Sequence, residues 1–227
     1  RRGHYPAVAV RGELGYWSVI YHWQSPVRDC LDPLHGVFDR LWELGCLDYV
    51  HMDKCRLFRL MFACGEPLSK IAAECSKFTE SLLDYKQTMQ WNINAPLHQA
   101  IQNLQDPATR NPAKLAGEHM NEDVHRPQWR EANNLGAEYQ YQLFVTILSY
   151  HFADLDRAKA IIKQMRGNLW EDGPDFLVPV RVFYAEKGKR ISHFRPFKDF
   201  TRISILNTFL VTIALFYIKP RDLFRGL

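Results

Sequence analysis

Five side chains able to bind a metal or move a proton crowd into eight residues: Glu118, His119, Glu122, Asp123 and His125. Neutral imidazole nitrogens and carboxylate oxygens are the ligands that zinc and its neighbours take, so this set could anchor a divalent ion. A metal-dependent all-α hydrolase using residues 118–125 is therefore the alternative reading of the chain. It needs a matched second half elsewhere, and the sequence offers none. The plainer reading is a solvated polar segment set among prolines. His151 lies near Asp154 and Asp156 and could serve as a general base only if a substrate cleft faced it. The simpler role is at a helix C-terminus, where a donor or a cation is favoured. His22 and His35 flank turns and read the same way. Cys46, Cys55 and Cys64 recur every nine residues, half a helical turn out of phase, so one helix cannot aim all three at one ion. With Cys30 and Cys75 they make an odd count without a CxxC pair, which fits a reducing compartment and buried thiols. No Gly-x-Ser-x-Gly elbow, His-Glu-x-x-His pair or GxxxxGK[ST] loop occurs. The expectation is no catalytic residue, no cofactor and no metal ligand, hence not an enzyme over this stretch.

The elements that would hold these residues are helices. Tyr139, Leu143, Ile147 and Tyr150 share one helical face, and Leu155, Ala158, Ile161, Ile162 and Met165 form a second stripe. Residues 153–156 between them are a short polar turn. Ala158 is small where two antiparallel helices would approach closely. Upstream, Pro6 opens a helix predicted over residues 6–23. Ser25-Pro26 begins another that restarts at Asp32-Pro33, runs to Leu44 and stops at Gly45. A third starts at Leu47-Asp48 and ends before Gly65-Glu66-Pro67. Leu68, Ile71, Cys75, Phe78 and Leu82 give the clearest amphipathic pattern in the chain. A fifth helix is predicted over 86–104, with Pro96 a candidate kink. Residues 105–132, with three prolines and many charges, read as a long loop holding one helical turn at most. Residues 176–186 read as helical despite Pro179. No period-two pattern persists anywhere, so the fold class is all-α, built of antiparallel helix pairs.

Residues 44–50 and 152–158 have the same form, a turn, an acidic-apolar pair and then Val50 or Ala158. They lie 108 residues apart, about three repeats of the usual tetratricopeptide length near 34. The expected architecture is a TPR-like α-solenoid of stacked helix pairs. Hydrophobic residues make up 47% and charged residues 24% of the 227, which excludes disorder over most of the chain. The net charge of +4 is concentrated in residues 181–202, with seven basic and two acidic side chains, and makes no case for nucleic acid.

The ordered succession of short motifs resembles the helical region of large multidomain ATPase–kinase signalling proteins. In these an AAA-like, STAND-type ATPase module precedes a long tetratricopeptide-like region, and a histidine-kinase or similar output module often follows. The resemblance rests on Pro26 and Arg28; Gly45, Leu47-Asp48 and Val50; Gly65-Glu66-Pro67-Leu68; Leu115-Ala116-Gly117-Glu118; the turn at 152–156; and Phe176-Leu177-Val178-Pro179 with Phe183-Tyr184. It covers roughly residues 10–185 and stops after Glu186. With no nucleotide-binding loop here, it implies the helical middle only: a non-catalytic scaffold or relay region, not ATPase or kinase activity. The expected partner is a protein or an adjacent domain of the same polypeptide.

Two units follow, residues 1–186 as the helical-repeat region and 187–227 as a divergent basic and apolar tail with one helix. Arg1-Arg2-Gly3-His4 opens no signal peptide, so the chain is expected to begin inside a larger, cytoplasmic protein. Residues 203–218 run sixteen positions without a charge, slightly short of a membrane span. A helix covering the end of the array is favoured there over an unpacked tail and over a membrane anchor.

Overall fold

The computed structural model describes residues 6–106, 111–165 and 183–184. All belong to the unit Arg1–Gly188, and none to the unit Lys189–Leu227. Among the described residues there are eight α-helices and no strand, so the all-α expectation holds. The helices are α1 (Pro6–Gly15), α2 (Leu31–Glu43), α3 (Leu47–Ala63), α4 (Leu68–Asp84), α5 (Thr88–Gln105), α6 (Glu122–Glu131), α7 (Leu135–His151) and α8 (Leu155–Met165).

One device ends five of them. At Gly45 and Gly65 the backbone turns left-handed, with φ of 68° and 73°. Lys86, Asn133 and Ala153 do the same at 54°, 50° and 60°. After α2, Cys46 N–H donates to the Leu41 carbonyl and Gly45 N–H to that of Trp42. The same pair of bonds closes α3, α4 and α6: Glu66 to Met61, Gln87 to Leu82, and Asn134 to Trp129. This satisfies carbonyls that would otherwise be orphaned at a helix end and reverses the chain within three or four residues. Each stop leads directly into the next helix, giving the hairpins α2–α3, α3–α4, α4–α5, α6–α7 and α7–α8. The likeness read between residues 44–50 and 152–158 is one case of this wider rule. Val50 and Ala158, at matching positions, are both 2% exposed.

Residues 6–23 are helical throughout, as predicted, but not uniformly. After Gly15 the spiral widens into a π turn (Tyr16–Ile20) and then tightens into a 3-10 turn (Tyr21–Trp23). The Ser18 hydroxyl donates to the Leu14 carbonyl, competing with the regular ladder. The rings of Tyr16, Trp17 and Tyr21 cluster with centroids 4.5–5.8 Å apart. Pro33 falls within the first turn of α2, where its missing N–H costs nothing.

Residues 105–132 differ most from expectation. α6 fills ten of them, nearly three turns. The Asn121 side chain accepts from Asp123 N–H at 3.0 Å, and Glu122 and Asp123 complement the helix dipole. Pro127 is tolerated inside a short helix. Residues 111–121 pack on α5 by hydrogen bonds, with Leu115 and Met120 buried. α7 is the hub: Ala137 and every residue from Tyr139 to Ser149 are buried, and it packs on α5, α6 and α8. The predicted helix over 176–186 and the apolar run at 203–218 lie outside the described residues, except that Phe183 and Tyr184 are helical. Among the described residues no helix is long and apolar enough to cross a membrane.

Candidate functional site

The acidic and imidazole side chains of residues 118–125 do not converge. Glu122 is 7% exposed and is held by Arg157, whose Nη2 lies 2.6 and 2.8 Å from the two carboxylate oxygens. It also accepts from Leu115 N–H at 3.0 Å. Asp123 pairs with Lys114 at 2.6 Å on the exposed side of α6. His125 Nδ1 sits 2.8 Å from the Asn121 carbonyl, and its ring lies between Trp91 and Trp129. His119 lies flat on His98, with centroids 3.4 Å apart and planes within 8°. Glu118 Oε2 is 3.4 Å from Gln102 Nε2. Among the described residues no three His, Cys, Asp or Glu side chains are placed to hold one metal ion. The sequence pattern is instead consumed in fastening α5, α6 and α8 together.

Two constructions here escaped the sequence reading. The first is an ionic lattice at the joint of α6, α7 and α8. Arg126 forks onto Glu138 at 2.6 and 3.2 Å, with its guanidinium 4.0 Å from the Tyr141 ring centre. Arg157 completes the lattice from α8, 3.3 Å from the Tyr141 hydroxyl. Burial alone would raise the Glu138 carboxyl, but the bonds from Arg126 and Arg130 outweigh it and hold it below the usual range. Burial likewise opposes the charge on Arg157, and Glu122 more than restores it. The second is an amide clamp. Gln99 Oε1 accepts from the backbone N–H groups of His119 and Met120 at 3.0 and 3.2 Å. Asn103 Nδ2 donates to the carbonyls of Pro112 and Lys114 at 3.0 and 2.7 Å. The signal was available in principle: polar residues recur along the whole of α5, and those that are buried, His98, Gln99 and Asn103 among them, need partners.

The described residues also form a largely apolar concavity. A groove of about 920 Å³ runs between the α3–α4 turn and the C-terminal half of α7. Phe62, Leu68, Leu104, Phe144 and Ile147 line it, and Phe152, Phe183 and Tyr184 stand at its mouth. Phe152 and Phe183 are 46% and 50% exposed. Arg59, Glu66 and His151 supply the polar part of the groove's lining. Glu66 is engaged by Arg28 and Lys70, each at 3.1 Å. His151, read as a helix-end donor, meets the Tyr184 hydroxyl at 2.9 Å. Among the described residues that line the groove there is no nucleophile with an adjacent base.

All five cysteines are free thiols, four of them buried and Cys64 half-buried. Burial pushes Cys30 up to about 11 and Cys55 up to about 12, so neither is a thiolate at neutral pH.

No protein-family model, no curated protein and no solved structure matches the chain.

Proposed function

We propose that this chain is a non-catalytic scaffold or relay region, in which stacked helical hairpins of TPR-like form present a groove to a protein segment. The segment belongs to a partner or to an adjoining domain of the same polypeptide. The observation that carries this reading is the division of labour just described. The polar side chains that could do chemistry are spent on internal fastening, while the open concavity is lined by aromatic and aliphatic residues. Such a groove suits an amphipathic helix with apolar anchors three and four residues apart. Five hairpins closed by one type of stop, and packing of α3 on both α4 and α5, support a stacked array. The motif succession between residues 10 and 185 supports placing it within an ATPase–kinase signalling protein, in the cytoplasm, where ligand-linked changes in packing would bias a neighbouring module.

A photo-crosslinking residue at position 152 tests the recognition claim in cells that make the protein. It should yield one discrete adduct, mapping to a segment with helical apolar spacing, while the same residue at Lys159 on the exposed face of α8 yields none. Indiscriminate or absent crosslinking at 152 contradicts the proposal. The rival hydrolase is tested by metal content after dialysis. One equivalent of zinc, nickel or manganese, lost when His119 and His125 are replaced together, would establish it.

A further inference from the structure

We propose that the stacked His98–His119 pair is an acid-sensitive clasp, which holds residues 111–121 on α5 at neutral pH and releases them on mild acidification. The clasp has three parts. His98 is 3% exposed on α5 and carries the His119 ring flat against it at 3.4 Å. One residue along, Gln99 holds the loop through the N–H groups of His119 and Met120. Gly117 closes the fit: a Cβ there would come within 2.4 Å of the Gln99 amide, so the loop backbone lies directly on that side chain.

Two neutral imidazoles stack without cost, but two imidazolium rings at this spacing repel strongly in a place with little water to screen them. The surroundings do not relieve that repulsion. From α4, Ser76 Oγ lies 3.4 Å from His98 Nε2 and carries no charge. From α5, Gln99 and Gln102 are amides. Glu118, on the loop itself, favours the charged form of His119, yet burial outweighs it and keeps that imidazole below its ordinary value. Burial first, and His119 second, push His98 down to about 4. Both rings are therefore neutral in the closed state, and both take up protons more readily once released. The closed state is fully favoured above the ordinary imidazole value of 6.5 and loses ground as pH falls from there towards about 4. Opening would uncover the polar row of α5. It would also pull Leu115 N–H from Glu122, linking the clasp to the ionic lattice of α6 and α8. The inference stands apart from the groove and does not depend on what the groove binds.

Amide hydrogen exchange on the full chain reads the clasp directly. After correction for intrinsic rates, protection at His119 and Met120 should fall about tenfold for each pH unit below the ordinary imidazole value of 6.5, followed from about pH 7.5 to pH 5. Amides within α7 should keep their protection over the same range. His119→Phe, which keeps a flat ring but cannot be protonated, should lose protection less steeply than the wild type, because only His98 then gains a proton on opening. Flat protection at 119 and 120 in the wild-type chain overturns the proposal. So does a loss shared equally by α7, which would mean global unfolding, and so does a His119→Phe chain that opens as the wild type does. Should that variant not fold, the wild-type profile alone decides between the first outcomes.

Discussion

The hairpins from α2 to α5 and the bundle of α6, α7 and α8 use different means to reach the same packing. In the first region the helices from α2 to α4 each show one apolar stripe, such as Leu68, Ile71, Cys75, Phe78 and Leu82 on α4, and apart from His51 and Arg59 of α3 and the amide row of α5 its buried side chains are mostly apolar. The rings of Phe58 and Phe78 meet edge to face at 5.5 Å. In the second region α7 is buried on all sides, and its neighbours are positioned by Glu122–Arg157, Arg126–Glu138 and the Tyr141 ring between them. Apolar packing tolerates substitution of similar volume, because dispersion and water exclusion are non-directional. A half-buried ion pair is directional and punishes the loss of either member, since the survivor is left desolvated and unpaired. The first region should therefore degrade gradually under mutation and the second abruptly.

The largest effect should come from breaking the lattice on one side. Arg157→Met leaves Glu122 without its cation and should cost about 3–5 kcal/mol in urea denaturation. Adding Glu122→Gln should recover much of that loss, because a neutral amide no longer needs the guanidinium. If the double variant is no more stable than the single one, the pair matters through packing and the contrast between regions weakens.

Acidification should act on the second region and on the loop that joins it to α5. The depressed Glu138 carboxyl contributes stability present above its unfolded value and lost as pH falls through its folded one. The depressed His98 acts earlier, from 6.5 downward. Thermal melting between pH 7 and pH 5 should show falling midpoints, and His98→Gln should flatten that slope by on the order of 1–3 kcal/mol over the range. An unchanged slope would free His98 of any part in it.

Ala158→Leu should overpack the α7–α8 contact and cost about 1–3 kcal/mol, because that side chain is already buried to 2%. An unchanged melting midpoint would mean the two helices have room there. The smallest effect should be a gain. Ala153 occupies a left-handed turn at φ 60°, where glycine sits in the equivalent stops at 45 and 65. Ala153→Gly should stabilise by about 0.5–1 kcal/mol, the left-handed cost removed less the extra freedom of glycine in the unfolded chain.

The same contrast explains what could be read from sequence. The first region was legible because two of its three stops, at 45 and 65, are glycines and its stripes follow the helical period. Gly45, Gly65 and the α4 stripe place three helices to within a residue or two. Ala158 was legible because a small residue in an apolar stripe has few other meanings. α6 was missed because Pro127 and a run of charges look like a loop, and only the Asn121 cap argues otherwise. The all-round burial of α7 was not legible, because the stripe Tyr139, Leu143, Ile147 and Tyr150 accounts for packing on one face only, and nothing local marks Gln140 and Gln142 as buried. The lattice and the amide clamp join residues 9 to 35 apart along the chain, a range at which helical spacing carries no signal. The polar set at 118–125 was visible as a group, but its members are turned to different partners. The groove is made of helix ends from distant segments and has no local signature.

The measurement that bears most directly on the proposed role is amide exchange of the whole chain, free and in the presence of the segment trapped by crosslinking at position 152. The groove reading predicts added protection at the end of α3 around Phe62 and along α7 from Leu143 to Phe152, with residues 111–125 unchanged. Protection gained on 111–125 and absent from the groove would contradict it, and would make the polar loop, not the apolar cleft, the surface that recognises a partner.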